Sequence, residues 1–135
     1  MSAFMNFPVL KKMKKFFKNK ADFVLLFGSV LGKYFERHSD IDVGVYWKKW
    51  PLSPTELWKL RSDLAEQLDR PVDLIFLNDS DPIITMQILA NGKLLWNQNR
   101  SKYNIFKARK ISEYLDFKQG RAWLENEWMK KHVHA

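Results

Sequence analysis

The sequence predicts an α/β or α+β domain, a small mixed β-sheet with flanking helices, followed by a helical C-terminal tail. Three observations carry this expectation. Residues 21–27 form a nearly continuous apolar run ending in Gly28-Ser29, with the length and flanks of a buried strand. Residues 41–46 alternate apolar side chains with Asp42 and Gly44, the period of a strand with two unlike faces. Around these runs, leucines and lysines recur at helical spacing.

Taken in order, the chain opens with an amphipathic helix. Val9, Leu10, Met13, Phe16 and Phe17 share one face, and Lys11, Lys12, Lys14, Lys15 and Lys18 point away. The segment lacks the uninterrupted apolar stretch and small-residue cleavage site of a leader. After the strand at 21–27, a short helix is expected over 30–37, then a polar turn at His38-Ser39. The second strand follows.

Ser53-Pro54-Thr55-Glu56 marks a helix start: Ser53 caps, Pro54 suits the first helical position, and Glu56 completes a capping box. Leu57, Leu60, Leu64 and Leu68 give that helix one apolar face, which ends before Pro71. Residues 72–77 read as a third strand interrupted only by Asp73. Asp81-Pro82 opens another short helix that Asn91-Gly92 closes, and residues 93–96 suit a short edge strand.

From Ser101 onward lysine, arginine and aromatic residues dominate a helical tail, with a break or kink expected at Gly120. Tyr103, Phe106, Tyr114, Phe117, Trp123 and Trp128 are many aromatics for a solvated appendage. Tyr114, Phe117, Leu124 and Trp128 fall on one stripe, so the tail is expected to dock a protein partner, the alternative being that the stripe packs back onto the domain's own sheet, which needs helical cover. A single domain over 1–135 results, with its core at about 9–96 and its tail at about 101–132.

Composition bounds the function. Hydrophobic residues are 46% and aromatics 15%, too apolar for a disordered chain. Without cysteine there is neither a disulfide framework nor a thiolate zinc site, which fits a reducing cytoplasm. No apolar run approaches the roughly 20 residues that span a bilayer, so no membrane association is expected. The net charge of +8 attracts anions, whether nucleotides, nucleic acid or an acidic protein. Direct nucleic-acid binding would rest on that charge alone and is not expected. His38, His132 and His134 do not form a metal set.

Three features together carry chemistry. Gly28-Ser29 closes a buried strand just before a helix, where glycine admits a ligand to the backbone and the helix start offers free N–H groups to phosphate. Asp40 and Asp42, two apart on a strand, point to one face with Cα atoms about 6.5–7 Å apart, so both carboxylates can converge on hard cations. Asp73 stands isolated in an apolar strand. It either begins that strand at the surface or joins the other two acids if the strands are neighbours.

Gly28-Ser29, ten intervening residues, Asp40-Ile41-Asp42, and an acid on the next strand resemble the signature of the minimal nucleotidyltransferases, part of the polymerase-β-like nucleotidyltransferase superfamily. The resemblance covers roughly residues 9–96. It implies a nucleotidyltransferase fold and a magnesium-dependent enzyme, with two Mg2+ ions held by Asp40, Asp42 and Asp73 and with ATP as substrate. Asp73 would also help to activate the acceptor hydroxyl. Gly28 and Ser29 would hold the triphosphate. Many relatives carry alanine-arginine-glycine two residues after the serine. This chain has Leu31-Gly32-Lys33, a basic residue displaced by one position, so Lys33 is the candidate phosphate contact.

Within the family, a small stand-alone member with a helical tail resembles the antitoxin of a toxin–antitoxin pair. The resemblance implies a hetero-oligomer with a HEPN-type ribonuclease toxin, one tyrosine of which would be adenylylated. A transferase acting on a small molecule such as an aminoglycoside is one alternative, although no second substrate-holding domain is evident. A non-catalytic antitoxin acting by binding is the other.

Overall fold

The structure, a computed structural model, describes residues 7–28 and 40–133. The helix expected over 30–37 and the turn at His38-Ser39 lie outside the described residues. Helix α1 (Phe7–Phe17) leads into β1 (Ala21–Phe27), and β2 (Ile41–Trp47) follows. Then come α2 (Pro54–Leu68), β3 (Val72–Phe76), a 3₁₀ turn (Leu77–Asp79), α3 (Pro82–Asn91), β4 (Lys93–Asn97) and α4 (Arg100–Val133). The four strands form one mixed sheet in the order β3-β2-β1-β4. β1 runs antiparallel to β2 and to β4, whereas β2 and β3 are parallel.

This order explains the two strand patterns. β1 is central and covered on both faces, so Ala21 to Leu26 are all buried and the segment reads as a continuous apolar run. Odd-numbered residues of β2 (Ile41, Val43, Val45, Trp47) enter the core beneath α1 and α2, together with Val24, Leu26, Leu74, Met13, Phe17 and Leu64. The opposite face holds a smaller cluster of Phe23, Leu25, Leu77, Ile88 and Phe106, covered by α3 and the first turns of α4. Gly44 fits that cover closely. A Cβ there would lie 3.3 Å from the Ile88 side chain and 3.4 Å from Leu77, so even an alanine would require those side chains to give by a few tenths of an ångström.

Local chemistry fixes the element ends. The capping box forms as the sequence implies: Glu56 N–H donates to Ser53 Oγ at 3.2 Å, and Ser53 N–H donates to Glu56 Oε1 at 3.3 Å. Asp81 accepts from the N–H groups of Ile83 and Ile84 at the start of α3. β3 stops one residue short of the expected end because Leu77 turns inward and the Asn78 amide takes over the pairing. Asn78 Oδ1 accepts from Trp47 N–H at 2.8 Å and Asn78 Nδ2 donates to Trp47 C=O at 2.9 Å, so a side chain supplies one more rung beside β2.

The tail departs from expectation twice. α4 runs unbroken through Gly120, where no backbone hydrogen bond need be lost; glycine in a helix costs about 1 kcal/mol and does not sever it. In addition, Tyr103 and Phe106, expected at a partner interface, belong to the domain itself. Phe106 is buried, and the Phe23 ring lies 4.9 Å from Tyr103 and 5.2 Å from Phe106. Burial raises the pKa of the Tyr103 hydroxyl. Lys102 anchors the same turn through a 2.7 Å ion pair with the buried Asp22, a carboxylate the sequence hides inside an apolar run. From Leu115 to Lys131 every residue of α4 is exposed, including Phe117, Trp123, Leu124, Trp128 and Met129.

Candidate active site

Strand register assembles the site. Phe27, the last residue of β1, stands opposite Asp42 of β2, and Asp42 stands opposite Asp73 of β3. Neighbouring strands lie about 4.8 Å apart, and register partners present their side chains on one face. The two carboxylates are therefore side by side at the end of the sheet, with Gly28 on the far flank of Asp42. Ile41 and Val43, on either side of Asp42, are buried on the other face and fix its direction. Asp40 immediately precedes β2 and is exposed; Asp42 is half-buried and Asp73 exposed.

Asp73 thus sits at the second residue of its strand, at the surface, and beside the second strand as well. The first reading left open by the sequence, a strand start at the surface, holds, and the strands are neighbours as the second reading requires. No burial penalty arises, because the strand end is open to solvent.

Gly28 has φ +74°, a conformation that side chains rarely adopt, and a Cβ there would run into Asp42 Oδ2. The backbone at the end of β1 consequently passes against the carboxylate with nothing between them. Ser29 and Lys33 lie outside the described residues.

Among the described residues no three acidic or histidine side chains converge to enclose an ion. This donor set still fits magnesium. That ion is ordinarily held by one or two carboxylates, waters and the substrate's own phosphates, not by an all-protein cage. Asp42 and Asp73, with Asp40 next to them, are such a set: hard oxygen donors on an open strand end.

One feature at this site has no local signature in the sequence. A groove of about 420 Å3 opens beside Asp73, walled by Trp50, Arg61, Phe76, Asp79 and Ile84 among others. Its residues come from the β2–α2 connection, α2, β3, the 3₁₀ turn and α3, and only the sheet order brings them together.

Known proteins resemble this chain in sequence and in fold. Residues 11–101 match the family described as Polymerase beta, Nucleotidyltransferase. The protein adenylyltransferase MntA of Shewanella oneidensis is 33% identical over 95 residues, 70% of this chain and 67% of that one. A chain in a crystal structure of a toxin–antitoxin with AMP-PNP superposes with TM-score 0.75 at 28% identity, covering 89% of this chain and 98% of that chain. A chain from the tri-AMPylated Shewanella oneidensis HEPN toxin in complex with MNT antitoxin gives TM-score 0.72 at 28% identity, with 90% and 97% covered. The sheet, the acids at its end and the extent of these matches agree: this chain belongs to the polymerase-β-type nucleotidyltransferase family.

Proposed function

We propose that this chain is an antitoxin that transfers AMP from ATP to a tyrosine of a HEPN-type toxin, with which it forms a hetero-oligomer. The observation that carries the reading is the row Gly28, Asp42, Asp73 across three adjacent strands. It provides a backbone approach for phosphate on one flank and a carboxylate for an acceptor on the other. The relatives are a protein adenylyltransferase, and complexes of toxin with antitoxin, one with AMP-PNP and one with the toxin AMPylated.

In this reading Gly28 and Ser29 cradle the triphosphate, Lys33 contacts it, and Asp40, Asp42 and Asp73 hold magnesium, with two ions expected. When bound, magnesium neutralises charge on the attacking and leaving oxygens. The protein's own residues do the rest. Gly28 keeps the backbone within reach of phosphate, while Ile41 and Val43 lock the Asp42 carboxylate toward it. The acceptor hydroxyl oxygen attacks the α-phosphorus and forms the new P–O bond. The bond from that phosphorus to the bridging oxygen breaks, pyrophosphate leaves with the electron pair, and Asp73 takes the hydroxyl proton.

No described helix is long and apolar enough to cross a membrane. ATP as substrate and a cysteine-free chain support a cytoplasmic setting. Intact mass spectrometry of the toxin partner, incubated with this chain and Mg-ATP, tests the function. The toxin should gain whole AMP groups on tyrosine. An unmodified toxin that is nonetheless inhibited would mean neutralisation by binding alone.

A further inference from the structure

The groove beside Asp73 has a form that a fold-filling cavity does not need. Asp73, Leu74, Ile75 and Phe76 all line it, four consecutive residues of one strand. Successive strand side chains point to opposite faces, so no single face can present all four. Leu74 and Phe76 are, moreover, buried in the main core. The wall is therefore the backbone edge of β3, and the strand order places β3 at the end of the sheet. There, Arg61 Nε and Nη2 each donate to the outward-facing Leu74 carbonyl at 3.3 Å, and the guanidinium lies 5.5 Å from the Phe76 ring centroid.

Position gives this edge a role in the reaction. In-line displacement requires the entering and leaving groups on opposite sides of phosphorus. The leaving pyrophosphate belongs on the Gly28 flank of Asp42, so the acceptor must come from the β3 flank, and the groove shares Asp73 with the site. Its chemistry is equally specific. Trp50, Leu57 and Ile84 offer apolar surface to an aromatic ring, whereas Asp79 and Asp81 add two carboxylates in a chain of net charge +8.

We propose that this groove is the acceptor subsite: it receives an extended, basic, tyrosine-bearing segment of the toxin alongside the outer edge of β3, where Arg61 already caps the Leu74 carbonyl. This rests on the adenylyltransferase reading above. The tyrosine ring lies against Trp50 and Ile84 with its hydroxyl toward Asp73, and flanking lysine or arginine residues meet Asp79 and Asp81. Asp79 is a positioning residue; it acts by holding the acceptor, not by touching the phosphate.

Steady-state AMP transfer to the full toxin partner, measured with the full chain, tests this. Asp79→Lys should raise KM for the toxin about tenfold or more with kcat within about twofold, and Asp79→Glu should restore it. Ile84→Trp, which fills the groove from an exposed position, should lower kcat/KM for the toxin about tenfold or more. Both variants should keep the wild-type melting-temperature shift with Mg-ATP. Wild-type toxin kinetics in both variants, a fall in kcat alone, or loss of the Mg-ATP shift each overturns the subsite. If the wild-type chain transfers nothing to the toxin, the adenylyltransferase reading itself fails. Should Ile84→Trp not fold, the charge pair Asp79→Lys and Asp79→Glu decides the matter.

Discussion

Gly28 and Asp42 make opposite demands of one small volume. The first must have no side chain there, and the second must place an oxygen there. Gly28→Ala therefore meets two obstacles: a left-handed backbone costing an alanine about 1–2 kcal/mol, and a methyl group against Asp42 Oδ2. We expect a lower melting temperature and loss of the Mg-ATP stabilisation, which for the wild type should be about 2.7 kcal/mol at a hundredfold excess over Kd. Thermal melts with and without Mg-ATP measure both effects. Asp73 is different because it is exposed and supports no packing. Asp73→Asn should keep the fold while lowering transfer at least about a hundredfold. A rate within a few-fold of wild type would remove Asp73 from the chemistry.

At the scale of elements, α4 is two things joined in one helix. Its first turns are core: Phe106 is buried and Lys102 holds Asp22. Its second half is exposed and carries Phe117, Leu124 and Trp128 on one stripe, so the expectation that this stripe docks the toxin can be tested by truncation. Removing residues 119–135 should leave a cooperatively melting protein that still binds Mg-ATP but captures the toxin poorly, as read by co-purification. Insolubility of that fragment would show that the distal helix supports the fold. Gly120→Ala addresses the helix itself: a Cβ there meets nothing within 4 Å, so the substitution should raise stability by about 0.5–1 kcal/mol in a denaturant melt.

The same elements show what a sequence reveals. Strand and helix positions were legible because periodicity, caps and prolines are local signals, as at Ser53, Asp81 and the run at 21–27. The spacing of Asp40 and Asp42 was legible for the same reason. The neighbouring placement of Asp42 and Asp73 was legible only through the family resemblance and not from local pattern, since parallel pairing of β2 with β3 is a long-range choice. Neither was the division of α4, because Phe106 and Phe117 look alike in composition and differ only in whether the sheet lies beneath them. Nor could the Asp73 groove be read, its walls being spread from Trp50 to Ile84.

Across the whole molecule, charge and topology serve one arrangement. The chain is strongly basic, yet Asp40, Asp42, Asp73, Asp79 and Asp81 gather around one end of the sheet and its outer strand. Anionic nucleotide needs metal to tolerate such acids, and a basic acceptor does not. The mixed sheet sets Gly28 and Asp73 on opposite flanks of Asp42, the arrangement that the proposed meeting of donor and acceptor there requires. The most direct test is label transfer with ATP carrying radioactive phosphorus at the α or the γ position, incubated with magnesium, this chain and its toxin. We expect α-label on the toxin and none from γ, with double substitution Asp40→Asn and Asp42→Asn abolishing the signal. Label from the γ position, or undiminished α-labelling by the doubly substituted chain, would contradict nucleotidyl transfer at this site.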